Sequence, residues 1–153
     1  MLQLILAFIS LFFVGLLAGE EFVIRLGVRD TLLILDDSSH IKLRQALIRT
    51  LRVLVPAIML PAIISGVTLA IVYGTSRGCV CSWVGAVALL VFLSVTLFGT
   101  VPINAGALEW NPNVPPHNWK SLINRWERLN NLRCLLAVLS FVLFLVAAAL
   151  RLS

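Results

Sequence analysis

"WVGAVALLVFLSVTLFGTVPI", residues 83–103, runs for 21 positions without an acidic or basic side chain. A helix needs about 20 mostly apolar residues to cross the hydrocarbon layer of a bilayer, so this stretch is long enough to span it. The stretch therefore predicts a transmembrane helix and places the chain among membrane proteins.

Three other segments share this character. The 153-residue chain is 60% hydrophobic and 12% charged, with a mean hydropathy of +1.02, whereas soluble domains are about 45–50% apolar and about 25% charged. Backbone amides in lipid must be satisfied within their own segment, so the spans are helices, and short loops make neighbours antiparallel. We predict an all-α, integral membrane four-helix transmembrane bundle, one domain over residues 1–153, with spans at about 2–24, 53–73, 83–103 and 134–150.

The basic residues predict the orientation. Ten of the twelve fall between the first two spans or between the last two, and only Arg77 and Arg151 lie elsewhere. By the positive-inside rule both basic connections are cytoplasmic and both termini face outward, as expected of a multi-pass protein of a bacterial inner membrane. The net charge of +5 then indicates contact with anionic lipid headgroups, and we expect no nucleic-acid partner.

This topology brings polar residues that are distant in sequence to one level. Ionisable and amide groups at membrane depth usually face the bundle interior or a wet cavity. We therefore predict a polar site at the cytoplasmic end, formed by Glu20, Glu21, Arg25, Asn104, Arg125, Trp126, Asn130 and Arg133.

The two neighbouring acids have different alternatives. Glu21 and Arg25 are spaced i, i+4 in the favourable order, which predicts a structural ion pair on the helix surface. The residues three and four positions before and after Glu20, which would be its neighbours on a helix, are all aliphatic. Glu20 is therefore either a general acid–base group in an apolar site or a side chain that snorkels to the headgroups.

The segment before the fourth span carries most of the aromatic candidates. Trp119, Ile123, Trp126, Asn130 and Arg133 follow steps of 4, 3, 4 and 3, which places them on one helical face. The tryptophans could equally form an aromatic belt at the interface. In the same way, Asn104, which follows Pro102, is either a site residue or a turn cap.

Metal chemistry has little support. The two histidines, His40 and His117, have no E-x-x-H or H-x-x-E spacing, so a di-iron bundle is not indicated. Cys79 and Cys81 lie in the predicted outward loop without a second ligand pair, which favours loop thiols or a local disulfide over zinc. Cys134 opens the predicted fourth span, on the opposite side.

"TVPINAGALEW", followed by a proline-rich turn, a Trp and "RWERLNNLR", resembles the C-terminal half of the anthrone-oxygenase-like family of small four-helix membrane proteins. "LLAGEEFVIRLGV" and "RQALIRTLRVLVPAI" resemble a bacterial variant of its first two helices, by pattern more than by signature. Asn131 stands where members often carry a His, so a histidine base is not carried over. The match falls on Pro102, Asn104, Leu108, Trp119, Arg125, Trp126, Asn130 and Arg133.

The resemblance implies oxidation of a hydrophobic, polyketide-like anthrone by molecular oxygen, without a metal, flavin or other cofactor. Such chemistry needs an apolar pocket, a base and donors for an oxyanion. We assign the catalytic roles to Glu20 as base and to Asn104, Asn130 and Arg133 as donors, and substrate binding to Trp126, Trp119 and Arg125. The alternative is a non-catalytic membrane protein: a carrier of a lipophilic molecule, or an accessory subunit in a homo-oligomer or larger complex.

Overall fold

Four long helices make up nearly all of the computed structural model, which describes residues 2–74 and 78–152. Each is long and apolar enough to cross a membrane, which confirms the predicted all-α bundle of a multi-pass membrane protein. Two of the helices contain a π-helical turn. Helix α1 comprises Leu2–Val23, the π turn Ile24–Val28 and Arg29–Leu33; α2 is Asp37–Tyr73; α3 comprises Cys79–Val95, the π turn Thr96–Thr100 and Val101–Leu108; α4 is Trp119–Leu152.

The helices form a ring in which each packs on two neighbours. Helix α1 contacts α2 and α4, and α3 contacts the same two helices from the other side. Glycines allow the close approach: a Cβ at Gly66 of α2 would lie 3.0 Å from both Leu89 and Phe144. Ser140 of α4 donates a hydrogen bond to the Gly85 carbonyl of α3 at 3.0 Å. Small residues and interhelical hydrogen bonds of this kind drive helix association in lipid.

Three of the four helices extend well beyond the predicted spans. Helix α1 continues to Leu33, α2 begins at Asp37 rather than near residue 53, and α4 begins at Trp119 rather than at 134. The predicted basic loops were therefore wrong in extent, because the connections at this end are only 34–36 and 109–118. Hydropathy detects the part of a helix that lies in hydrocarbon, and the basic turns beyond it remain helical because their backbone hydrogen bonds do not depend on side-chain polarity.

The tight connection between α1 and α2 is stabilised by a helix cap. The Ser39 backbone N–H donates to Asp36 Oδ2 at 3.1 Å, as at a typical helix N-terminus. Hydrogen bonds from the Ser39 side chain and backbone hold the pKa of Asp36 below its ordinary value. This cap starts α2 directly after a three-residue connection, which keeps the ends of α1 and α2 at the same level.

The cysteines differ from their predicted surroundings. Cys79 and Cys81 lie in the first turns of α3 rather than in a loop, and Cys134 is buried well inside α4 rather than at its start. All three are free thiols, so the local disulfide is not formed. Arg77, one of the two basic residues expected outside, lies outside the described residues.

Candidate functional site

A cavity of about 1040 Å³ lies between the four helices, at the end of the bundle that carries connections 34–36 and 109–118. Most of its wall is apolar, and polar residues enter it from all four helices. Val23, Leu54 and Val101 stand on its wall with exposed side chains. The cavity is therefore open sideways, between helices, at the level where apolar side chains face the membrane.

Both π turns lie at this end of the bundle. Ile24 and Val28 of the turn in α1 line the cavity, as do Thr96 and Thr100 of the turn in α3. A π turn adds one residue to the helical register and re-aims the side chains around it, and such turns are frequent at functional sites. In α3 the turn is followed by Val101 and then by Pro102, which has no backbone N–H to continue an α-helical ladder.

The deepest polar feature is an ion pair between Arg133 of α4 and Glu21 of α1. Both side chains are almost fully buried, and Arg133 Nη2 donates to Glu21 Oε1. The guanidinium also lies over the Phe92 ring, 4.8 Å from its centroid, and Nη1 donates to Thr100 Oγ1 at 3.4 Å. The predicted surface pair between Glu21 and Arg25 was wrong: Glu21 faces inward and Arg25 is exposed.

Glu20 lies beside this ion pair and lines the cavity. Both of its carboxyl oxygens are buried, and neither accepts a hydrogen bond from a donor in the described residues. The Glu21 carboxyl is within hydrogen-bonding reach, and Arg133 is close enough to attract both acids. Two acids and one guanidinium thus form a single charged cluster, in which Glu21 binds the cation and Glu20 also lines the cavity.

Other residues of the cavity wall have buried polar atoms without a partner in the described residues. They include the side-chain carbonyl oxygens of Asn104 and Asn130 and the indole N–H of Trp126. Buried polar atoms in native proteins nearly always bind a protein group, an ordered water or a ligand. A cavity with several such atoms in an otherwise apolar wall has the composition of a small-molecule site.

Seven residues were assigned a catalytic or substrate-binding role, and the structure brings five of them together. Glu20, Asn104, Trp126, Asn130 and Arg133 line the same cavity.

The other two predicted residues lie apart from it. Trp119 is buried in a small cluster with Ile41 and Ile123, where it packs edge-to-face against His40 with ring centroids 5.4 Å apart. Arg125 is exposed and does not line the cavity. Trp119 can therefore support the cavity wall only through His40, which does line it.

Arg44 is the most informative residue that the sequence prediction missed. Its side chain is only 4% exposed, lines the cavity and stacks on the Trp126 ring, 4.3 Å from the centroid. It was counted among loop cations because hydropathy placed the start of α2 later. The sequence does contain a pattern that could have predicted its position. One helical face of α2 is formed by the helically spaced residues His40, Arg44, Leu47, Ile48 and Leu51.

Gln45 is a second residue that the sequence prediction missed, and its side chain binds backbone carbonyls. Its side-chain amide donates to the carbonyls of Ala107 at 3.0 Å and Trp110 at 2.9 Å, with Leu108 at 3.4 Å. These carbonyls end α3 and begin connection 109–118, so Gln45 satisfies acceptors that the helix end leaves open. The contact anchors the loop beside the cavity to α2.

Residues 45–143 match the sequence profile of a family described as anthrone oxygenase, and this covers well over half of the chain. The chain belongs to the anthrone oxygenase family. No curated protein and no solved structure matches it. The matched residues of this anthrone-oxygenase-like protein include Asn104, Trp126, Asn130 and Arg133. Helix α1, which supplies Glu20, lies outside them.

The arrangement can hold a flat hydrophobic molecule and act on it by proton transfer. A buried carboxyl can move a proton, and amide and guanidinium N–H groups can stabilise a developing negative charge on oxygen. Arg133 retains such a group, because its buried Nε has no partner among the described residues while Nη1 and Nη2 are engaged. In the described ranges, no three His, Cys, Asp or Glu side chains are grouped as metal ligands.

Proposed function

We propose that this protein oxidises a flat, hydrophobic carbon acid of the anthrone type with molecular oxygen, in the cavity at the cytoplasmic end of the bundle. Membership of the anthrone oxygenase family supports the reaction class. The observation that carries the proposal is Glu20, which lines the apolar cavity and whose buried carboxyl oxygens lie beside the Glu21–Arg133 pair. A carboxylate in that position can act as a general base for a substrate that has shed its water.

In the first step Glu20 removes a proton from the ring methylene of the anthrone. The electron pair of the broken C–H bond delocalises onto the carbonyl oxygen, which becomes phenolate-like. The side-chain N–H groups of Asn104 and Asn130, with the Arg133 Nε–H, are the candidates to stabilise that oxygen. The Trp126 indole offers an aromatic face against which the rings can pack.

In the second step the carbanion reduces oxygen. It passes one electron to O₂, and the resulting radicals combine into a carbon–oxygen bond that is protonated to a hydroperoxide. Loss of the second methylene proton and cleavage of the O–O bond then give the carbonyl of an anthraquinone and one water. One oxygen atom of O₂ enters the product and the other leaves as water, so the substrate supplies all the electrons.

The volume of the cavity agrees with such a substrate. Ligand pockets commonly have volumes of about 300–1,000 Å³, so a cavity of about 1040 Å³ accommodates a fused aromatic ring system. Its sideways opening between exposed apolar residues offers a path for a molecule dissolved in the membrane.

The test is Glu20→Gln, which keeps the side-chain shape and removes the base. With anthrone as substrate, we expect O₂ consumption and anthraquinone formation to fall about 10²–10⁴-fold, the usual contribution of general-base catalysis. Elution of the variant as a monodisperse peak in detergent would show that it folds. The matched control is Glu109→Gln, an exposed acid on the 109–118 connection, which should retain the wild-type rate.

A metal chelator should leave the wild-type rate unchanged, because the electrons come from the substrate carbanion. Full activity of Glu20→Gln would remove Glu20 from the mechanism. Inactivation of the wild type by chelation, reversed by a metal, would replace the carbanion mechanism with metal chemistry.

The alternative is a non-catalytic carrier of a lipophilic molecule, and the sideways opening of the cavity is the observation that favours it. A carrier would bind anthrone-like molecules with no O₂ consumption and no sensitivity to Glu20→Gln. An accessory subunit would instead show neither turnover nor binding in the isolated chain.

A further inference from the structure

Arg44 is a buried cation without a hydrogen-bonded counter-charge among the described residues. The residue is 4% exposed, and in that part of the chain it forms no ion pair. Its Nε and Nη2 atoms are buried and have no hydrogen-bond partner in the described residues. A buried charge is strongly unfavourable unless it is paired and hydrogen-bonded, so this guanidinium requires a counter-charge.

Glu127 is close enough to attract Arg44, but both nearby acids are hydrogen-bonded to other arginines. Glu127, which also lines the cavity, accepts a hydrogen bond from Arg29 Nε at 3.2 Å. Glu21 is bound to Arg133. The missing counter-charge is therefore expected to come from a molecule in the cavity rather than from the chain.

The free edge of the guanidinium has the geometry of a carboxylate site. Nε–H and Nη2–H point from the same edge of the planar group, and two parallel N–H donors match the two oxygens of a carboxylate. The Trp126 ring stacks on one face, with its centroid 4.3 Å from Arg44 Cζ, which orients the group. In the described residues, the indole N–H of Trp126 and Nε2 of His40 are also buried without a partner.

Arg44 and Glu20 lie at different depths of the cavity. Arg44 is seven residues into α2 from the connection, and Glu20 is thirteen residues back along α1 from Leu33. At 1.5 Å of rise per residue this separates them by about 9 Å along the bundle, which is about the length of three fused rings.

We propose that Arg44, stacked on Trp126, binds a carboxylate on the aromatic substrate, so that the preferred ligand is an anionic aromatic acid rather than a neutral ring system. The carboxylate lies toward the connections and the ring system extends inward to Glu20. This inference rests on the proposed function for the identity of the ring system. Carboxylate recognition itself requires no turnover.

The experiment compares two fluorescent probes of equal shape, anthracene-2-carboxylate and anthracene-2-carboxamide. Their binding to the full chain is measured in phosphatidylcholine nanodiscs, with empty nanodiscs as the background. We expect wild type to bind the acid about 10–100-fold more tightly than the amide, as for hydrogen bonds to charged groups. Equal binding of the two probes would overturn the proposal.

Arg44→Gln should abolish the preference by weakening binding of the acid far more than binding of the amide, and elution as a monodisperse peak in detergent would show that the variant folds. Arg44→Lys should retain part of the preference, because it keeps the charge and loses the two-donor edge. The matched control is Arg49→Gln, which removes an exposed cation of the same helix and should keep the full preference. A preference that survives Arg44→Gln would also overturn the assignment.

A lipid phosphate is the other anion that could reach Arg44. If phosphatidylglycerol in the nanodiscs eliminates the difference between wild type and Arg44→Gln, the site binds a lipid headgroup and the substrate-acid assignment is wrong. The proposed oxidation fails separately: acid-selective, Arg44-dependent binding without O₂ consumption would support this inference and refute the oxygenase. Turnover of anthrone with equal binding of both probes would support the oxygenase and refute the carboxylate site at Arg44.

Discussion

Removing either partner of the Glu21–Arg133 ion pair should destabilise the protein more than any surface charge change. The pair joins α1 to α4, and its side chains are 0% and 7% exposed, respectively. Breaking a buried pair by deleting one partner costs about 3–5 kcal/mol of unfolding free energy, because the other charge is left buried and uncompensated.

The two single variants should differ in a defined order. Glu21→Gln leaves Arg133 with its Thr100 hydrogen bond, its contact with Phe92 and the attraction of Glu20. Arg133→Met leaves two neighbouring carboxyls without their cation, so its cost should lie at the upper end of about 3–5 kcal/mol and that of Glu21→Gln at the lower end. The double variant should recover part of the loss, since it removes both members of the pair and leaves Glu20 as the remaining carboxyl without its cation.

The free energies can be measured by titrating dodecylmaltoside-solubilised protein with sodium dodecyl sulfate and following near-ultraviolet circular dichroism. The control is Lys120→Gln, which breaks the exposed pair between Lys120 and Asp37, at 3.2 Å, and should cost no more than about 1 kcal/mol. If Glu21→Gln costs no more than this control, or if the single-variant costs simply add, the buried pair does not hold α1 to α4.

Two further predictions concern orientation and the donors of the site. Because the basic residues collect at the cavity end, that end should face the cytoplasm. Cys79 or Cys81 should therefore react with a membrane-impermeant maleimide in intact cells, whereas a cysteine at the exposed position Ser121, at the start of α4, should react only after lysis. The opposite labelling pattern would invert the orientation. Asn104→Ala and Asn130→Ala should have non-additive effects on anthrone binding or turnover if both amides serve one oxygen, whereas additive losses would assign them separate roles.

Hydropathy and charge were enough to predict the bundle and the end at which its polar residues meet. A span such as 83–103 must be helical in lipid, and antiparallel order then brings the end of α1 level with Asn104 and with the start of α4. For that reason the sequence alone could assign Glu20, Asn104 and Asn130 to one site. In the structure all three line one cavity.

The pairing of side chains could not be obtained in the same way. Glu21 had a suitable partner four residues away in Arg25, and only the rotation of α1 in the bundle decides that it faces Arg133 instead. The π turns at Ile24–Val28 and Thr96–Thr100 change that rotation locally. Neither hydropathy nor residue spacing predicts them. Arg44 was missed for a related reason, since hydropathy could not show that α2 begins at Asp37.

The residues that match the family and the residues that could move a proton come from different parts of the chain. The match begins at Gln45, so the wall that carries the amide donors and Arg133 lies inside it, while the acids of α1 lie outside it. If the wall binds the aromatic rings and Glu20 supplies the base, binding and proton abstraction are separable. A version of this chain in which Glu20 is replaced by Gln should then still bind an anthracene-type molecule but consume no oxygen. Loss of binding in that variant, with the protein still folded, would show that Glu20 shapes the cavity, and would assign its role to structure rather than to catalysis.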